Sequence, residues 1–192
     1  MRKGLLLFVF FVLTGMCAVK AQIRKGNVLV GGDIANFDLG LNEGNSFVMR
    51  IDPKAAWFIQ NNVAVGAFVD IGLSTAKGAG TTVNYGIGGL GRYYFSQAEV
   101  EILRKSRLFF EVNAGLSGVN PAHGGTTNGL GLGFGPGLAY FITPNIGLET
   151  LLKYNGVIGF GSDPTSSRLQ LGLGFQIYLS GRTVKREIEQ VR

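Results

Sequence analysis

The sequence predicts an all-β fold: an eight-stranded antiparallel up-and-down transmembrane β-barrel, and three observations predict it. Apolar residues alternate with small or polar ones in long stretches, repeated nearly to the C-terminus. Glycine supplies 31 of 192 residues, more than twice the usual ~7%. Charged residues make up 16% while hydrophobic residues reach an ordinary 46%, against ~25% charge in soluble domains. Each glycine inside a helix costs roughly 1 kcal/mol, so this composition opposes a helical fold.

The first segment is an export signal. Arg2 and Lys3 precede the unbroken apolar run Leu5–Leu13, and Val19 and Ala21 occupy the positions three and one before a cleavage point. Cleavage between Ala21 and Gln22 makes residues 1–21 a signal peptide, because the run is short of the ~20 residues of a spanning helix. Met16 before Cys17 argues against a lipid-modified cysteine. Removing Arg2, Lys3 and Lys20 lowers the formal net charge from +6 to +3. The basic character therefore belongs partly to the signal, and no nucleic-acid partner is implied. Cys17 leaves too, so the exported chain needs no disulfide.

The strands follow in order. Two less regular ones span about Asn27–Leu39 and Ser46–Phe58. Val63–Ser74 sets Val65, Val69 and Ile71 against Gly66, Phe68 and Asp70. Thr82–Phe95 opposes Tyr85, Ile87 and Tyr93 to Gly86, Gly88 and Arg92. Arg107–Val119 opposes Leu108, Phe110 and Leu116 to Glu111, Asn113 and Ser117. Asn128–Phe141 places Leu130, Leu132 and Phe134 opposite Gly131, Gly133 and Gly135. Ile146–Asn155 opposes Leu148 and Leu152 to Glu149 and Lys153, and Ser167–Leu179 opposes Leu171, Leu173 and Phe175 to Arg168, Gln170 and Gln176. These strands exceed the five or six residues usual in soluble sheets and suit a tilted bilayer crossing of ~9–11 residues. A soluble barrel would carry more surface charge. Glycine on the polar face has a reason in a closed eight-stranded barrel, whose interior is only just wide enough for side chains to fill.

An internal echo recurs at a spacing of 83 residues. Pro53, Trp57, Phe58, Ile59 and Asn62 are matched by Pro136, Tyr140, Phe141, Ile142 and Asn145. The aromatic pairs Trp57-Phe58, Tyr94-Phe95 and Tyr140-Phe141 end even-numbered strands and predict a girdle at one interface. Pro53 and Pro136 each remove a ladder donor, which predicts bulges beside them. Turns near Asn61, Gln97–Ser106 and Pro144 are expected on the periplasmic side, with loops near Asn42, Ala79, His123 and Ser162 outside.

The segments PKAAWFIQNNVAVG (53–66) and GPGLAYFITPNIGL (135–148), with KGNVLVGG (25–32) opening the first strand, resemble the hairpins of small porin-like outer-membrane β-barrel proteins. The resemblance spans residues 22–180. It implies an outer-membrane barrel in contact with outer-membrane lipid, inserted as a monomer by the outer-membrane assembly machinery. Family chains end on an aromatic that closes the last strand. Here Tyr178-Leu179 takes that place, and 181–192 follows as a charged tail.

Chemistry-bearing residues are few. One cysteine and one histidine leave no metal cluster, and His123 sits in the turn-rich run Pro121–Gly125 as a solvated loop residue. The glycine run Gly86–Gly91 lies within a strand and opens no helix, so it holds no nucleotide. No cofactor and no enzyme activity are expected. The pleat instead turns Asp33, Asp52, Asp70, Glu111 and Glu149 inward with Arg50, Lys54, Arg92, Lys153 and Arg168. Acids and bases balance, as a low-dielectric interior demands. Arg92, Glu111, Glu149 and Arg168 are expected to form one network. Two functions follow: a structural or interaction protein with a closed polar lumen, or a small-solute diffusion pore.

Overall fold

The computed structural model describes residues 23–39, 46–76, 78, 80–96, 105–160 and 166–181. The expected signal peptide, the charged tail and the loop positions Asn42, Ala79 and Ser162 lie outside the described residues, as do 97–104. Eight strands are present: β1 Val28–Leu39, β2 Ser46–Gln60, β3 Val63–Ala76, β4 Gly80–Tyr94, β5 Ser106–Asn120, β6 Thr127–Thr143, β7 Ile146–Gly159 and β8 Ser166–Leu179. Each pairs antiparallel with its chain neighbour. β1 pairs with β8 from Val28↔Leu179 to Ala35↔Gly172, which closes the barrel and removes every sheet edge.

The fold is inside-out relative to a soluble protein. Ile87, Leu116, Leu169 and Leu173 are each at least 60% exposed on the outer face, while Arg92, Glu111 and Glu149 are at most 3% exposed within. Leaving one large apolar side chain in water forgoes about 1.5–3 kcal/mol. The outer face carries such residues on every strand, far beyond the few-hundred-Å² patch of a soluble monomer, so it is a lipid-facing belt.

Both proline expectations need correction. The register runs unbroken through Gly32↔Pro53 and through Phe110↔Pro136. Each proline instead leaves a gap in the ladder on its other side, between Ile51↔Ile71 and Lys54↔Phe68 for β2–β3 and between Phe134↔Tyr154 and Gly137↔Leu151 for β6–β7. A missing N–H removes a rung, but no residue is inserted, so pairing resumes in the same register. The register shifts lie elsewhere, between Ala35 and Asp38, between Phe58 and Gln60, and between Phe141 and Thr143. The last two flank the turns at Asn61-Asn62 and Pro144-Asn145, and they repeat the spacing of 83. Asn62 has φ 67°, a left-handed conformation that asparagine tolerates better than most residues.

The aromatic pairs are also corrected. Adjacent strand residues point to opposite faces, so each pair is split. Trp57, Phe95 and Tyr140 face outward, whereas Phe58, Tyr94 and Phe141 are buried inside. There they meet Phe109 and Tyr178: Phe141 lies 5.0 Å from Tyr178, Tyr94 5.5 Å from Phe109 and Phe58 5.8 Å from Tyr94 between ring centroids. Half of the expected girdle is thus an aromatic floor within the barrel. Ile23 adds to it from the N-terminal segment, which crosses this end through Asn62 N–H to Ile23 O and Gly26 N–H to Phe58 O. Small residues make the room. Gly137 faces the ring of Phe109, and Gly174 faces the carboxylate of Asp33, where any Cβ would collide.

Candidate functional site

Immediately beyond the aromatic floor lies an ionic layer. Lys54 enters from β2, where it pairs with Gly31 of β1. Its Nζ is 2.5 Å from Asp33 Oδ2 and 3.2 Å from Glu111 Oε2. Arg92 and Glu111 are direct cross-strand partners on β4 and β5. Arg92 Nε and Nη2 donate to Glu111 Oε2 at 3.0 and 2.6 Å. Arg92 Nη1 donates across the barrel to Glu149 Oε2 at 2.7 Å and, two residues along its own strand, to Tyr94 Oη at 2.8 Å. The guanidinium lies 4.1 Å above the Phe109 ring, so floor and ionic layer are one packed unit.

Two cations serve three carboxylates here, and neutral donors cover the surplus. Tyr178 Oη donates to Glu149 Oε1 at 2.6 Å and Gln176 Nε2 to Asp33 Oδ1 at 3.2 Å. Every side chain in this layer is nearly inaccessible to solvent. A buried ion needs its partners, since leaving one uncompensated costs several kcal/mol.

A second set lies toward the end that carries the connections 40–45, 77–79, 121–126 and 160–165. Arg50 contacts Asp70 at 3.2 Å and Gln170 at 3.5 Å, and Lys153 lies 3.5 Å from Asp52. Asn155 Nδ2 donates to Gln170 Oε1 at 3.2 Å. Arg50, Asp70, Lys153 and Asn155 border a cavity of about 220 Å³ that also touches Phe68, Asn84, Asn113 and Ser117. Among the described residues, Asp52 Oδ1, Asp70 Oδ1 and Asn113 Oδ1 are buried without a hydrogen-bond partner.

Nine of the ten inward charges named from the sequence have described side chains, and they fall into these two sets. The expected four-residue network differs in composition: Lys54 and Asp33 join Arg92, Glu111 and Glu149. Arg168 sits on β8 opposite Asn155, and its side chain lies outside the described residues. Sequence reasoning missed Gln170, Gln176, Tyr94 and Tyr178 as polar partners. All four share the inward parity of their strands, which was the available signal. His123 is exposed in the connection 121–126.

No protein-family model matches this chain, and no curated protein matches it. Solved structures do. The crystal structure of Neisserial surface protein A is similar at 19% identity with a TM-score of 0.58, covering 80% of this chain and 97% of that one. The N-terminal β-barrel domain of Pseudomonas aeruginosa OprF is similar at 13% identity with a TM-score of 0.53, covering 81% and 98%. The likeness is one of fold, and the chain has the fold of the small eight-stranded outer-membrane β-barrels.

Proposed function

We propose that this protein is an integral outer-membrane barrel whose polar interior is closed, with a structural or interaction role in place of transport. One observation carries it. The ionic layer and the aromatic floor stack across the same barrel section, and the buried Tyr94–Tyr178–Glu149–Arg92 hydrogen bonds join them. Eight strands leave no channel unless such a plug rearranges. A non-catalytic role accords with the interior chemistry. Each described inward acid faces a cation, and the single histidine is exposed in a connection.

Outer-membrane residence accords with the apolar belt and the closed sheet. Its test is fractionation: the protein should sediment with outer membranes and migrate differently on gels with and without heating. Recovery as a soluble monomer without detergent would overturn it. Planar-bilayer recording tests the closed lumen. Silence is expected from the purified protein, and reproducible unitary conductance steps would favour the diffusion pore instead.

A further inference from the structure

The two ends of the barrel differ in charge. Arg24, Lys25 and Lys105 are exposed at the end that carries the aromatic floor. Lys25 N–H donates to Asn61 Oδ1 at 3.1 Å, and Lys105 O accepts the Phe141 N–H at 2.8 Å, so the three cations stand around one rim. Among the described residues no Asp or Glu lies between the floor and that rim, and Asp33, Glu111 and Glu149 are buried behind the floor in the ionic layer. In the sequence, 97–104 adds Glu99, Glu101 and Arg104, and the stretch that follows Gly181 holds more bases than acids, so bases stay in excess here. The connections at the opposite end hold Glu43, Lys77 and Asp163. The positive excess of residues 22–192 therefore belongs to one end.

The outer face shows what meets this rim. Trp57, Tyr93 and Tyr140 face outward close to it. Trp57 precedes Asn61 by four residues, and Tyr140 pairs with Ser106, the neighbour of Lys105. Such side chains collect where hydrocarbon gives way to head groups, with an apolar body in one layer and a polar tip in the other. A strand advances about 3.3 Å per residue, so cations one to a few residues beyond these rings stand at the depth of the lipid phosphates. Long Lys and Arg stems lie along apolar surface while their charged ends reach outward. Charge sign and depth agree on a phosphate.

We infer that this rim is a binding surface for the head groups of anionic phospholipids, with Arg24, Lys25 and Lys105 attracting the phosphate. A zwitterionic head group carries a cation of its own, which the same rim repels, so the preference is for lipids of net negative charge. One Lys or Arg close to an anionic surface favours association about fivefold. The inference rests on the membrane-barrel reading above and is indifferent to whether the lumen conducts.

The test is electron spin resonance of the purified protein in phosphatidylcholine vesicles, doped separately with spin-labelled phosphatidylglycerol and spin-labelled phosphatidylcholine. Both labels should show a motionally restricted fraction at the barrel wall, with phosphatidylglycerol enriched there at least about twofold. The preference should vanish in salt of about 1 M, where the screening length falls to about 3 Å. It should also vanish in the triple variant Arg24→Gln, Lys25→Gln, Lys105→Gln and persist in Lys77→Gln at the opposite end. Heat-modifiable gel migration checks that each variant is folded, and Lys105→Gln, which should lose part of the preference, serves alone if the triple variant fails that check. Restriction of neither label would overturn the membrane-barrel reading and this inference with it. Equal restriction of the two labels, a preference that survives salt or a folded rim variant, or one that Lys77→Gln also removes overturns this inference alone.

Discussion

Arg92 and Glu111 form a 2.6 Å ion pair between neighbouring strands, yet removing one should cost far more than removing the other. In Glu111→Gln, Lys54 keeps Asp33 and Arg92 keeps Glu149, so the layer passes from two cations against three carboxylates to a balanced set. What is lost is charge-assisted hydrogen bonding, about 1.5–3 kcal/mol. In Arg92→Met, Glu111 keeps only Lys54 and Glu149 keeps only the Tyr178 hydroxyl among the described contacts. The excess of buried negative charge grows, and the expected loss is roughly 3–5 kcal/mol. The double variant should cost less than the sum of the two by about 0.5–3 kcal/mol, because the groups share one network. The assay is urea unfolding of the barrel in lipid vesicles. It can be followed by heat-modifiable migration and by fluorescence of Trp57, which faces outward in the lipid belt. Equal losses from the two single variants, or strict additivity in the double, would refute the network.

Three further outcomes follow from the same geometry. Tyr178→Phe removes a donor from Glu149 and the contact to Tyr94, and should cost about 1–3 kcal/mol in the same unfolding assay; an unchanged midpoint would show that water replaces the hydroxyl. Gly137→Ala puts a methyl where the Phe109 ring lies and should destabilise by roughly 1–3 kcal/mol, whereas Gly124→Ala, in the exposed 121–126 connection, strains one loop residue and should leave the barrel midpoint nearly unchanged; equal effects would remove the close-approach account of Gly137. In intact cells, a cysteine replacing His123 should react with an impermeant reagent and one replacing Asn61 should not, as a periplasmic N-terminus requires; the reverse labelling would invert the orientation.

The alternation of side chains along each strand was legible because the pleat is a property of the backbone. Once a stretch is a strand, residue parity settles which face it joins, and Glu111, Arg92 and Glu149 could be placed inside without any knowledge of the fold. The same rule, applied residue by residue to Trp57-Phe58 and Tyr140-Phe141, would have split the aromatic pairs and revealed the floor. The proline effect was misjudged for another local reason: losing a donor interrupts a ladder without adding the extra residue that makes a bulge. Partnership across the interior was not legible. Lys54 meets Glu111, and Arg92 meets Glu149, each across 57 residues of chain. Those meetings depend on the stagger between strands and on register shifts such as that between Ala35 and Asp38. Periodicity is written into each strand separately, whereas the height at which two side chains face each other exists only after all eight strands have closed.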